Sequence, residues 1–156
     1  MTPVSLNEFL IRHSAILRLR LQVDEAAVEL KHAHVASLRA LADKNTPLIR
    51  RWGEYFRECN RGHLIFVTAF YREMTALLTS GSGGSRPINK KMLKRKAELD
   101  ECMFAVENAE EVCDRSFHEK NTRLFVSWQE HFEKCRRQYL SLLRAFRREF
   151  LKLQTG

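Results

Sequence analysis

Helix breakers are almost missing from this chain, and those present are concentrated in one place. Of six glycines and three prolines in 156 residues, three glycines stand in the run Ser80-Gly81-Ser82-Gly83-Gly84-Ser85, with Pro87 just beyond it. A Gly/Ser run has no side chain to bury and behaves as flexible coil, so it divides the chain into two breaker-poor segments, 1–79 and 86–156. Its composition is that of an engineered tether, one that either shortens a longer loop within one protein or fuses two segments that associate as separate chains. Six residues at no more than about 3.5 Å each reach roughly 20 Å, enough to join neighbouring antiparallel helices but not to run back along a long one.

The first segment opens with a capping box, Ser5 and Glu8, just before Phe9-Leu10-Ile11, and nothing interrupts it until Asn45-Thr46-Pro47. The pattern predicts a helix over about 6–43. Its apolar residues form two stripes: Phe9, Ile16, Leu19, Val23, Leu30 and Ala33 on one side, and Leu10, Leu17, Leu21, Val28 and Val35 nearly opposite. Such a helix needs two neighbours, either inside its own bundle or with one face kept for another chain. Thr46 as N-cap with Pro47 at the first helical position starts a second helix, 47–79, after so short a connection that the two form an antiparallel hairpin. Trp52, Phe56, Cys59, Phe66, Phe70 and Met74 keep 3–4 spacing along it. Gly53 and Gly62 inside it cost roughly 1 kcal/mol each relative to alanine. A close helix approach or a local kink would account for them.

Beyond the tether, Pro87 repeats the helix-start pattern, and no Gly or Pro follows until Gly156. Met92, Leu99, Val106 and Cys113 recur every seven residues, whereas Phe125, Phe132, Tyr139 and Phe146 form a second register. The shift predicts a turn at 118–122, capped by Asn121 or Thr122, and helices over about 87–119 and 122–154. The alternative is one long helix with a stutter. Four helices of similar length predict an all-α fold, an antiparallel up-down-up-down four-helix bundle of long hairpins with coiled-coil-like packing.

The motif content excludes the common catalytic classes. The chain has no phosphate-cradling glycine loop, no His-Glu-x-x-His, no Cys-x-x-Cys and no serine elbow, so the expectation is a protein that is not an enzyme and needs no cofactor. Glu107, Glu110, Glu111 and Asp114 have helical spacing but lack the Glu-x-x-His of a di-metal bundle, and read as a solvated acidic face. Cys59 with His63, and His131 with Cys135, are each four apart and could close a zinc site between two parallel helices; small core cysteines with boundary histidines are the preferred reading. His32 and His34 face different sides of their helix. Four cysteines without framework spacing, an opening without signal-peptide character and the lack of an 18-residue apolar run predict an intracellular protein, cytoplasmic or nuclear, in a reducing compartment.

Charge carries the functional information. The net charge is +8 and the basic residues cluster: Lys90, Lys91, Lys94, Arg95 and Lys96 open the third helix, and Arg144, Arg147 and Arg148 close the fourth. In the antiparallel bundle these meet at one end, while the acids of 98–114 lie further along. Cations in a first helical turn oppose the helix dipole, so the first cluster is not explained by helix stability. Two functions follow. The first is a helical protein–protein interaction or scaffold module, binding a protein partner helix-to-helix or a second copy of itself through an apolar helix face. The alternative is an anionic-surface binder that engages acidic protein, membrane lipid or nucleic-acid backbone through the eight cations named above.

Overall fold

The breaker-poor stretches fold as helices. The computed structural model describes residues 6–80 and 90–155, which form five helices and, among the described residues, no strand: α1 (Leu6–Arg12), α2 (Ser14–Ala42), α3 (Thr46–Ser80), α4 (Lys90–His118) and α5 (Thr122–Thr155). The Ser5 cap, the tether beyond Ser80 and the Pro87 helix start lie outside the described residues. No described helix is long and apolar enough to cross a membrane.

The continuous helix expected over 6–43 is in fact broken at His13, which has φ −114° and ψ 82° and no side-chain cap. Neither glycine nor proline is responsible. The bend lays α1 against α4, so that Leu10 is buried and the Asn7 amide donates to Asp100 at 3.1 Å. Tertiary burial of Leu10 outweighs the small local cost of interrupting the helix, a gain that residue periodicity cannot register.

Both helical hairpins turn the same way, on the same three residues. In Lys44-Asn45-Thr46 and Lys120-Asn121-Thr122 the lysine takes the left-handed conformation, with φ 54° and 59°. Each preceding helix then ends in a Schellman pair: Asn45 N–H donates to Ala40 and Lys44 N–H to Leu41, and Asn121 N–H donates to Ser116 and Lys120 N–H to Phe117. Each asparagine caps the helix that follows, Asn45 Oδ1 accepting from Leu48 N–H at 3.3 Å and Asn121 Oδ1 from Leu124 N–H at 3.1 Å. Asn45, not Thr46, is therefore the N-cap of α3, and the turn at 118–122 forms as expected.

The shared turn marks a repeat. α2 and α4 each have 29 residues, and a shift of 76 carries Ser14 onto Lys90 and Thr46 onto Thr122. Without a gap, 21 of the 66 pairs formed by 14–79 and 90–155 are identical, Trp52/Trp128, Phe56/Phe132, Cys59/Cys135 and Phe70/Phe146 among them. The α2–α3 and α4–α5 hairpins are two versions of one unit. Equivalent residues also meet where α2 crosses α4. The ion pairs Arg20–Asp24 (3.3 Å) and Lys96–Asp100 (2.6 Å) are equivalent, and His34 bonds its own equivalent, Glu110 (3.2 Å).

α2 lies at the centre. Side-chain pairs run antiparallel from α2 to α3 and α5 and parallel from α2 to α4, and both apolar stripes of α2 are consumed within the chain. Leu17, Leu21, Val28 and Val35 are buried with Leu99, Val106, Phe132, Tyr139 and Phe146 in one cluster, against which Phe66, Val67, Met74 and Leu77 of α3 pack from the other side. The α3 backbone approaches α2 alone among the other described helices. The glycines of α3 are not explained by close approach, because a Cβ built on Gly53 or Gly62 meets nothing within 4 Å, and the helix continues through both.

Candidate interaction surface

A belt of polar pairs fastens α2 to the second hairpin. Towards α5, Arg39 donates to Gln129 (3.1 Å), His32 pairs with Glu133 (2.9 Å), Glu29 with Arg136 (3.2 Å) and Glu25 with Arg147 (2.7 Å). Towards α4, Glu110 takes both His34 and Lys31, and Asp114 lies 3.3 Å from the other ring nitrogen of His34. The hydrogen bond to Glu110 pushes the His34 pKa up despite partial burial, with the charges of Glu110 and Asp114 adding to it. Burial alone would raise the Glu110 pKa, but the His34 hydrogen bond and the Lys31 charge overcome it and the net shift is downward. Half of the acidic run expected to be a solvated face thus belongs to the interface between the hairpins, while Glu107 and Glu111 stay exposed.

The eight basic residues do not form one open cluster. Lys96 is 3% exposed and held by Asp100, close enough to Asp24 to offset part of the burial that raises that carboxyl's pKa. Lys91 (3.6 Å) and Arg95 (3.1 Å) converge on Glu149, and Arg147 is spent on Glu25. Lys90, Lys94, Arg144 and Arg148 are exposed. The pairing of Lys91 and Arg95 with Glu149 does place the start of α4 beside the end of α5, as the antiparallel arrangement requires.

Of the two cysteines and two histidines weighed for zinc, only His131 and Cys135 come together, 3.5 Å apart. Cys59 sits by Tyr55, and among the described residues no group of three or more His, Cys, Asp or Glu is placed to hold a metal ion. Burial raises the pKa of all four thiols, that of Cys113 to about 12, so they are protonated at neutral pH and poor nucleophiles.

What the chain leaves open is a face of α3. Leu64 (54%), Tyr71 (65%) and Leu78 (69%) are exposed and recur every seven residues, with Thr68 and Thr75 between them. Together they form a second 3–4 seam, beside the one that packs on α2. The threonine hydroxyls donate to the carbonyls of Leu64 and Tyr71, both at 2.8 Å, so they make no demand on water or on a partner. Arg57 and Arg61 extend the seam towards the N-terminus, and both are exposed. A groove of about 550 Å³ also opens between α3 and α5 over α2, lined by Leu21, Ala26, Phe66 and Phe150 and crossed by the Glu25–Arg147 pair. The seam escapes a sequence search because α3 is apolar on more than one side, and periodicity does not say which stripe is covered.

Comparison with known proteins yields no relative: no family model, no curated protein and no solved structure matches the chain.

Proposed function

We propose that this chain is a non-enzymatic helical interaction and assembly module, two related hairpins in an antiparallel bundle that bind a protein partner through an apolar helix face. The observation that carries it is the α3 seam, three large apolar residues in heptad register and each more than half exposed on a helix that needs only its other face for the core. Binding of anionic surfaces is less well supported, since four of its eight cations are engaged by Asp100, Glu149 and Glu25. A photo-crosslinking side chain at Thr75, compared with one at the exposed Arg123 in the first turn of α5, tests the module. The expected outcome is a discrete crosslinked species from Thr75 alone that survives high salt, because apolar association persists as ionic strength rises whereas phosphate-based binding weakens steeply. Equal crosslinking from both positions, or loss of the species in salt, would count against it.

A further inference from the structure

The repeat shows what the open seam of α3 is equivalent to. The four α5 residues that grip α2, Gln129, Glu133, Arg136 and Arg147, correspond to Gly53, Arg57, Asn60 and Tyr71 of α3. All four lie on or beside the open seam. On the other side of that contact, α2 buries Leu21, Val28 and Val35, whose equivalents on α4 are Ala97, Phe104 and Glu111. These three are exposed, Phe104 at 72%, and with Glu101 and Asn108 they too keep 3–4 spacing. The contact that joins α2 to α5 therefore has an unmade counterpart, α3 on α4, with both of its surfaces facing solvent in the same chain.

The residues at the equivalent positions differ. The ion pairs of the α2–α5 contact become Tyr71 with Glu101, Asn60 with Ala105 and Arg57 with Asn108, and the Arg39–Gln129 bond becomes Arg115 with Gly53. The counterpart contact would therefore rest on other side chains of the two seams. The two open seams nevertheless differ in charge: α3 presents Arg57 and Arg61, and α4 presents Glu101, Glu107 and Glu111. In the antiparallel register of α5 on α2, Leu64 comes opposite Phe104, while Arg57 and Arg61 come within reach of Glu107 and Glu111. One α3 against another α3 would instead juxtapose like charges.

We infer that the occupant of the α3 seam is a second copy of this chain, its α4 seam docking with Phe104 beside Leu64 and its acids against Arg57 and Arg61. The contact repeats between copies what α5 and α2 make within one. It deepens the proposed function, on which it rests, by naming the partner.

Sedimentation equilibrium over a range of concentrations, with two face variants, tests the docking. The unaltered chain should self-associate. Arg57→Glu/Arg61→Glu and Glu107→Arg/Glu111→Arg should each sediment as folded monomers with unchanged helicity. An equimolar mixture of the two variants should associate again, because each then offers the other the complementary charge. Recovery in the mixture is a readout that neither misfolding nor a merely structural role can produce. A monomeric unaltered chain, or association indifferent to both variants, overturns the inference. If the monomer still crosslinks from Thr75 to a different protein, the second copy fails while the interaction module stands; if Thr75 crosslinks to nothing, both fail; and a crosslink to α4 of the same chain replaces docking with internal closure.

Discussion

Phe104 and Phe132 sit on adjacent helices of one hairpin, and the structure assigns them opposite roles. Phe132 is fully buried, whereas Phe104 is 72% exposed. Truncating a buried phenylalanine to alanine removes its transfer free energy and leaves a cavity, together about 3–5 kcal/mol. At about 2.1 cal/mol/K per residue, a chain of 156 residues unfolds with an entropy of roughly 0.33 kcal/mol/K, so a loss of about 4 kcal/mol lowers Tm by about 12 °C. Phe104 has little more than a quarter of its surface covered, and Phe104→Ala should cost well under about 1 kcal/mol, a shift of less than about 3 °C. Thermal unfolding followed by circular dichroism checks both variants, at concentrations dilute enough for monomers so that lost self-association does not enter Tm. Similar shifts for the two variants would refute the orientation of α4. So would a larger shift for Phe104.

Two further outcomes follow from local geometry and ionisation. Gly53→Ala and Gly62→Ala should each stabilise the protein by up to about 1 kcal/mol, since the added methyl meets no atom within 4 Å and α3 gains helix propensity; urea unfolding midpoints that fall instead would reveal a neighbour at those sites. His34 has a raised pKa in the folded chain, so its stabilising contribution is complete below its ordinary value of 6.5 and is lost as pH rises through the folded value. The lowered pKa of Glu110 gives stability that is present above its ordinary 4.5 and lost as pH falls through the folded value. The α2–α4 contact should therefore hold best between about pH 4.5 and 6.5. His34→Gln should flatten the alkaline side of the stability profile, and an unchanged profile would mean that the pair contributes nothing.

How much of this protein its sequence determines depends on the range of the interaction concerned. The scarcity of glycine and proline and the 3–4 apolar spacing settle the helical class, and the register shift near residue 120 favours the second hairpin turn over one long helix, because these depend on backbone sterics and neighbours a few residues away. The repeat is also written in the sequence, at a spacing of 76, but helix periodicity hides it. Two amphipathic helices look alike whether or not they are related, and the identical Lys-Asn-Thr turns give the register away. Tertiary structure alone decided the rest. His13 breaks the first helix because Leu10 gains a place in a core built by residues 90 positions away. Lys96 is lost from the basic cluster because Asp100 and the packing of α4 bury it. The open seam lies on α3, not on the long first helix, because α2 packs against α3, α4 and α5, whereas α3 has α2 as its single neighbour among the described helices. Local propensity fixes which faces of a helix are apolar; which of them is covered depends on where the other helices end up, and that is set by the burial and ion pairing of the whole chain.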